Sequence, residues 1–129
     1  MSLEINLPAQ LATLTAACDA YEDALMRNDL EAMDALFWAR DQTIRYGVGE
    51  NLYGIDEIRA FRKTRSGGSP QRRVLRREIT TYGGQMGTCN LEFQREGSDR
   101  IGRQSQTWLR TAAGWKVVAA HVSFMAQGS

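Results

Sequence analysis

Apolar residues at the start of the chain recur three and four positions apart, as they do on one face of an amphipathic helix. The stripe consists of Leu11, Leu14, Cys18, Tyr21 and Leu25. Pro8 suits the first turn of such a helix, where its missing N–H is not needed. The pattern predicts a long helix that ends at Asn28. Tyr21 points inward, where its hydroxyl needs a polar partner in the core or in a pocket.

Shorter elements follow this helix. A second apolar stripe ends at Trp38, and Asp29 in front of it suits a helix N-cap. Residues 43–47 predict a strand. Asp56 then predicts the cap of a third helix over residues 57–63.

Arg45 lies in the middle of the predicted strand, flanked by Ile44 and Tyr46 on the opposite face. An Arg side chain is rarely buried without a partner. An anionic ligand is one partner that the sequence allows. The alternatives are an ion pair with a distant carboxylate such as Glu50 or Glu92, or a solvent-exposed strand face.

The second half of the chain has the alternating pattern of strands separated by Gly-containing turns. It predicts strands over 73–82 and 85–95, and then a hairpin over 100–125 with its turn at 111–114. Because helices come first and strands last, the sequence favours an α+β fold, a single domain over residues 1–129. The helices are expected on one face of a strongly curved sheet.

The pattern of the hairpin also predicts which side chains lie together on one face of the sheet. If Trp108 and Trp115 are paired, Gln106 lies opposite Val117, Gln104 opposite Ala119, and Gly102 opposite His121. Gln104, Gln106 and His121 then share one side with small apolar groups. That mixture is typical of a pocket wall, or of a core face whose polar groups have backbone partners. The last strand is apolar on its other side as well, which predicts that a partner subunit covers it.

Charge and composition limit the classes of function. The net charge of +1 and the absence of a basic tail give no indication of nucleic-acid binding. Basic residues crowd between 59 and 77, either as a solvated segment or as an entrance that attracts small anions. Two cysteines without a CxxC pair and one histidine predict no metal site. Without a signal peptide or a long apolar run, we expect a cytoplasmic protein that has no membrane partner.

Longer segments resemble a known family. The order of elements and the ending GWKVVAAHVS resemble the NTF2-like (SnoaL-like) superfamily. The segments FW at 37–38, TIRYG at 43–47, NLYGIDEIRAFR at 51–62 and RIGRQSQTW at 100–108 resemble the AtzH-like family, the HpxZ-type proteins of oxalurate catabolism.

The resemblance implies a cone-shaped fold, its helices packed on a strongly curved mixed or antiparallel sheet, with a pocket between helices and sheet. It also implies a homodimer through the outer sheet face and a role in purine or s-triazine nitrogen catabolism. Tyr21 and Arg45 match the family's functional Tyr and Arg. Trp38 and the concave hairpin residues would complete the wall.

The resemblance implies decarboxylating amidohydrolase chemistry on a carboxylated urea such as 1,3-dicarboxyurea. We expect such an enzyme to work without a cofactor, because neither a nucleophilic triad nor a metal site is visible. Arg45 would hold a carboxylate and Tyr21 would relay a proton. Gln104 and Gln106 would bind urea N–H and C=O groups. His121 is either an acid–base group or a satisfied core residue.

Two other functions are compatible with the fold. One is a non-catalytic ligand-binding or accessory subunit of a neighbouring amidase. The other, a polyketide-type cyclase or isomerase, is less favoured because no Asp lies on the concave strands of the hairpin.

Overall fold

Three helices and two short strands precede a meander of four long strands. The computed structural model describes residues 3–65 and 67–126. The helices are α1 (Pro8–Arg27), α2 (Leu30–Ala35) and α3 (Ile55–Thr64). The strands are β1 (Ile44–Tyr46), β2 (Asn51–Tyr53), β3 (Arg72–Tyr82), β4 (Met86–Arg95), β5 (Gly102–Thr111) and β6 (Gly114–Phe124). The predicted α+β class is confirmed.

The six strands form one mixed sheet in the order β2-β1-β6-β5-β4-β3. Only β1 and β6 are parallel, and every other neighbouring pair is antiparallel. The sheet is curved and does not close into a barrel. The helices cover its concave face.

The helix boundaries follow local rules, with one correction. Asp29 caps α2 as predicted, since its Oδ1 accepts a hydrogen bond of 3.0 Å from the Ala32 N–H. The predicted cap of α3 is wrong, because that helix begins at Ile55 and its N-cap is Gly54. Gly54 has φ +85°, a conformation that Gly adopts without steric cost. Asp56 lies in the first turn, where its negative charge favours the positive end of the helix dipole.

The predicted register of the hairpin is also wrong. Trp108 lies opposite Val117, and Trp115 lies opposite Arg110. The register then shifts between Trp108 and Thr107, which lies opposite Ala119. One extra residue on β6 therefore forms a β-bulge, and it reverses the alternation of faces beyond that point.

The bulge changes which residues of β6 face the helices. Ala120 and Val122 are buried on the concave side, whereas His121 is exposed on the convex side. The apolar residues assigned to an outer, partner-covered face thus belong partly to the core. A homodimer through the outer face stays a prediction.

The core lies between the helices and the concave face. Its fully buried side chains include Leu14, Ile58, Phe93, Trp108 and Val117. Polar contacts fix α1 across the sheet: the Trp115 indole donates to Thr13 at 2.8 Å, and Arg77 pairs with Asp19 at 2.6 Å. No helix within the described residues is long and apolar enough to span a bilayer.

Candidate functional site

Two adjoining cavities lie between the second half of α1 and the concave face of the sheet. Both are lined by Tyr21, Leu25, Arg45, Arg65 and Ser69. One extends towards α2 and α3, and the other towards the sheet. Their volumes are about 20 and 30 Å³ at the radius of a water molecule. Each therefore has room for a small polar group such as a carboxylate, since one water needs about 10–15 Å³ on this measure.

Guanidinium groups dominate this space. The two cavities together are here called the arginine cavity, and their polar lining includes Tyr21, Arg45, Arg62, Arg65, Arg72, Arg95 and Gln104. The arginines come from β1, from α3 and the residue that follows it, and from β3 and β4. Only the folded chain brings them together.

Tyr21 points into the arginine cavity from the apolar stripe of α1. Its side chain is buried, and its ring lies 6.0 Å from the ring of Phe37 between centroids. Its hydroxyl makes no hydrogen bond to another described residue. A buried phenol normally has a polar partner, so this hydroxyl is available to a ligand.

Arg45 enters the same cavity from β1. Its Nη1 lies 3.2 Å from Glu50 Oε1, and the two side chains are 13% and 23% exposed. The ion pair with Glu50, one of the alternatives that the sequence left open, is therefore formed. Glu50 occupies only one guanidinium nitrogen. Within the described residues the other two have no hydrogen bond, so Arg45 retains donors for a ligand.

Arg72 is held in place by the protein itself. It donates two hydrogen bonds to Glu22, at 2.9 and 2.7 Å, and a third of 3.2 Å to Gln104 Oε1. Its guanidinium lies over the Phe93 ring at 4.3 Å from the centroid. Arg72 is a fixed wall of the cavity.

Arg65 and Arg95 differ from the other three arginines of the cavity. Across the described residues, neither has a carboxylate within ion-pair distance. Burial lowers the pKa of Arg95, and the positive charges of Arg65 and Arg72 lower it further. Five guanidinium groups line the cavity, and three carboxylates, Glu22, Asp34 and Glu50, pair with them. The cavity thus carries an excess of about two positive charges, which favours anions.

The predicted wall residues are only partly brought together. Gln104 lines the cavity, but Trp38 and His121 do not. The position of Trp38 is a correction: it lies half-buried in a separate surface depression, with the Arg40 guanidinium 5.4 Å from its ring centroid. Phe37 takes the inward position because it forms a bridge with Val117, which turns the next side chain outward.

His121 is the second correction. Its ring packs edge-on against Tyr46 on the convex face, 5.8 Å between centroids, because the bulge in β6 reversed the alternation. Gln106 is buried on the concave face, and its Oε1 accepts a 3.2 Å hydrogen bond from the Trp108 indole. Gln106 is not among the residues that line the cavity.

Sequence reasoning missed four of the five arginines as individual site residues. The basic cluster at 59–77 contained Arg62, Arg65 and Arg72, so the idea of an anion-attracting segment had a basis. Not every residue of this cluster faces the cavity, since Arg76 forms a solvent-exposed ion pair with Glu78. Arg95 stands at the end of β4, and nothing in its local sequence distinguishes it.

The arrangement is suited to binding and polarising a small anion. Guanidinium groups match the geometry of a carboxylate, and they act more strongly where water is excluded. A phenol beside them can give or take a proton.

Comparisons with known proteins agree with the fold. The model of the AtzH-like family matches residues 3–128. A crystal structure of a DUF3225-family protein of unknown function from Pectobacterium atrosepticum is 51% identical, with 95% of each chain covered and a TM-score of 0.92. A cystatin-like fold protein from Burkholderia xenovorans is 44% identical, covering 97% of this chain and 98% of that one, also with a TM-score of 0.92.

More distant structures share the fold alone. An NTF2-like protein of unknown function from Pseudomonas putida is 12% identical over 89% of this chain and 86% of that one, with a TM-score of 0.72. No curated protein matches the chain. The family match over nearly the whole length and the shared architecture show that this chain is a member of the AtzH-like family with an NTF2-like fold.

Proposed function

We propose that the protein is a cofactor-free enzyme that binds a small carboxylated urea in the arginine cavity and removes CO2 from it. The observation that carries this proposal is the excess of guanidinium charge beside the unpartnered hydroxyl of Tyr21. The substrate that we propose is 1,3-dicarboxyurea. It is small, planar and doubly negative, and its carbonyl and N–H groups match polar side chains.

The reaction balances with a single proton. The C–N bond between one carboxylate carbon and the adjacent urea nitrogen breaks, its electron pair stays on nitrogen, and CO2 leaves. The nitrogen takes one proton, so that the dianion becomes allophanate, a monoanion. Solvent then returns the proton to the donor.

Each role falls to a group that faces the cavity. Arg45 holds a carboxylate through the guanidinium nitrogens that Glu50 leaves unoccupied. Tyr21 delivers the proton to the leaving nitrogen as a general acid. The guanidinium groups stabilise negative charge as it develops on the urea nitrogen and carbonyl. Positioning and electrostatics supply the rate.

The test is CO2 release from freshly prepared 1,3-dicarboxyurea, measured above the uncatalysed rate. We expect Tyr21→Phe to lower kcat about 100-fold or more, since general acid catalysis contributes about 10²–10⁴-fold. Arg45→Lys keeps the charge but loses the planar fork, and should lower kcat/KM about 10-fold or more. Arg110→Gln, an exposed Arg on β5 away from the cavity, is the matched control.

If Tyr21→Phe and Arg45→Lys both turn over 1,3-dicarboxyurea at the wild-type rate, this mechanism is excluded. Turnover that is absent from the isolated protein, but appears when an amidase that supplies or consumes a carboxylated urea is added, would favour the accessory-subunit alternative.

A further inference from the structure

The amide of Gln104 has an orientation that its surroundings fix. An Arg side chain has only donors, so the Gln104 atom that faces Arg72 Nη2 at 3.2 Å must be the oxygen. Arg72 itself is held by two hydrogen bonds to Glu22. The amide nitrogen of Gln104 is therefore the end that points away from Arg72.

That nitrogen is buried without a partner. Gln104 is 4% exposed, and its Nε2 makes no hydrogen bond to the described residues. A buried donor without a partner is unfavourable, because the hydrogen bonds it made to water are not replaced. Because Gln104 lines the sheet side of the arginine cavity, an acceptor placed in that cavity would satisfy it.

Arg95 lies in the same wall and also lacks a negative partner. Its guanidinium lies 4.8 Å from the centroid of the Phe124 ring and 6.0 Å from that of Phe93, so two aromatic side chains restrict it. Across the described residues, no carboxylate lies within ion-pair distance of it. Arg95 and Gln104 Nε2 thus offer donors to one oxyanion, beside a guanidinium that is already neutralised.

Arg95 also lies where the cavity meets the surface. Together with Arg72 it lines both the inner cavity and a wider open groove, whose other lining residues include Arg73, Gln94 and Asp99. An anion arriving through the groove would meet Arg95 before it meets Arg45.

We propose that Arg95 and Gln104 form a second anion subsite at the sheet end of the arginine cavity, which binds one carboxylate of a doubly charged ligand while Arg45 and Tyr21 bind the other end. The identity of the ligand as a carboxylated urea rests on the proposed function, but the demand for two acidic ends does not. Arg95 is accordingly the residue that selects dianions over monoanions of the same shape.

The experiment compares two stable probes by isothermal titration calorimetry at fixed ionic strength. Glutarate has a carboxylate at each end of a chain of five backbone atoms, the same length as 1,3-dicarboxyurea. Glutaramate replaces one carboxylate with an uncharged amide of the same shape. We expect wild type to bind glutarate about 10- to 100-fold more tightly than glutaramate, because charge-assisted hydrogen bonds contribute at this level.

Arg95→Gln should reduce this preference to about the twofold statistical advantage of two equivalent ends. Glutaramate can enter with either end first. The measured affinity includes both orientations, so the ratio of the two affinities can be interpreted without knowing which orientation binds. Arg110→Gln, the exposed control, should keep the full ratio.

Gln104→Glu provides a second variant that keeps the fold. The new carboxylate still accepts from Arg72, but it offers no donor and repels an anion, so glutarate binding should be lost while the unfolding midpoint is retained.

Three results would overturn the subsite: an unchanged ratio in Arg95→Gln, a wild-type ratio of about two or less, or no saturable binding of glutarate at millimolar concentration. If the ratio behaves as expected and 1,3-dicarboxyurea is not turned over, the proposed reaction fails and the subsite stands. If turnover is present but Arg95→Gln changes neither the ratio nor kcat/KM, only the subsite fails.

Discussion

Replacing Glu22 by Gln should have opposite effects on stability and on anion binding. Glu22 receives two hydrogen bonds from Arg72, at 2.9 and 2.7 Å, and fixes α1 against β3 beside the cavity. The Gln side chain keeps the shape and one acceptor oxygen, but its amide group turns a donor towards the guanidinium. The variant therefore leaves a buried positive charge only partly satisfied.

The expected loss of stability follows from the burial of the ion pair between Arg72 and Glu22. The side chains of Arg72 and Glu22 are 5% and 20% exposed, so solvent screens this pair little. Removing one partner of a buried pair completely costs about 3–5 kcal/mol. Because Gln retains one of the two hydrogen bonds, we expect a loss nearer to one charge-assisted bond, about 2–3 kcal/mol.

Urea denaturation measures this loss as a shift of the unfolding midpoint. With a slope of about 2 kcal/mol per molar urea, the midpoint of Glu22→Gln should fall by about 1 M or slightly more. Asp23→Asn, one residue further along α1, is the matched control. Its ion pair with Arg27 is solvent-exposed, and its loss should leave the midpoint unchanged within error.

Ligand binding should move in the other direction. Without the Glu22 charge, Arg72 adds its positive charge to the cavity, so glutarate should bind more tightly in calorimetry than it does to wild type. If Glu22→Gln unfolds at the same urea concentration as Asp23→Asn, or binds glutarate more weakly, the assignment of Arg72 as a neutralised wall of the cavity is refuted.

Two further predictions concern the core beneath the site. Gly102→Ala places a methyl group against the ring of Phe93 and should lower the free energy of unfolding, measured in urea, by about 1–3 kcal/mol. The control is Gly49→Ala, whose new methyl group meets nothing within 4 Å and should cause no overpacking. Equal unfolding midpoints for the two variants would contradict this prediction. Hydrogen bonding to Cys89, and then burial, raise the pKa of Cys18, so iodoacetamide at about pH 8.5 should leave Cys18 unmodified in the native protein and alkylate it in urea. Mass spectrometry of the alkylated peptides gives the answer, and rapid labelling of native Cys18 would show the thiol to be accessible.

The helices and long strands were predictable because their signals are local. The stripe from Leu11 to Leu25 fixes α1, and the turn at Gly114 fixes the final hairpin within a few residues. The three-residue strand β2 was missed because a pattern of that length cannot be distinguished from a loop. The N-cap of α3 was misplaced because Gly54, rather than Asp56, has the backbone conformation that begins the helix.

The faces of the last strand could not be predicted from alternation alone. Alternation holds only while each residue of one strand opposes one residue of the next, and the bulge near Val117 breaks that condition. As a result His121 changed sides. Trp38 points outward for a related reason, since the bridge between Phe37 and Val117 turns Phe37 inward and the next side chain outward.

By itself, the sequence determined the α+β order of elements, the family, and the inward direction of Tyr21, since each follows from patterns within segments and from the order of those segments along the chain. The tertiary structure alone decided which arginines share a cavity and which of them the protein neutralises. Arg45, Arg62, Arg72 and Arg95 lie on four separate elements and Arg65 directly follows α3, while the carboxylate partners come from α1, α2 and the loop before β2. Charge in a cavity is the sum over groups that the folded chain brings within a few ångströms, and local sequence patterns do not encode that proximity.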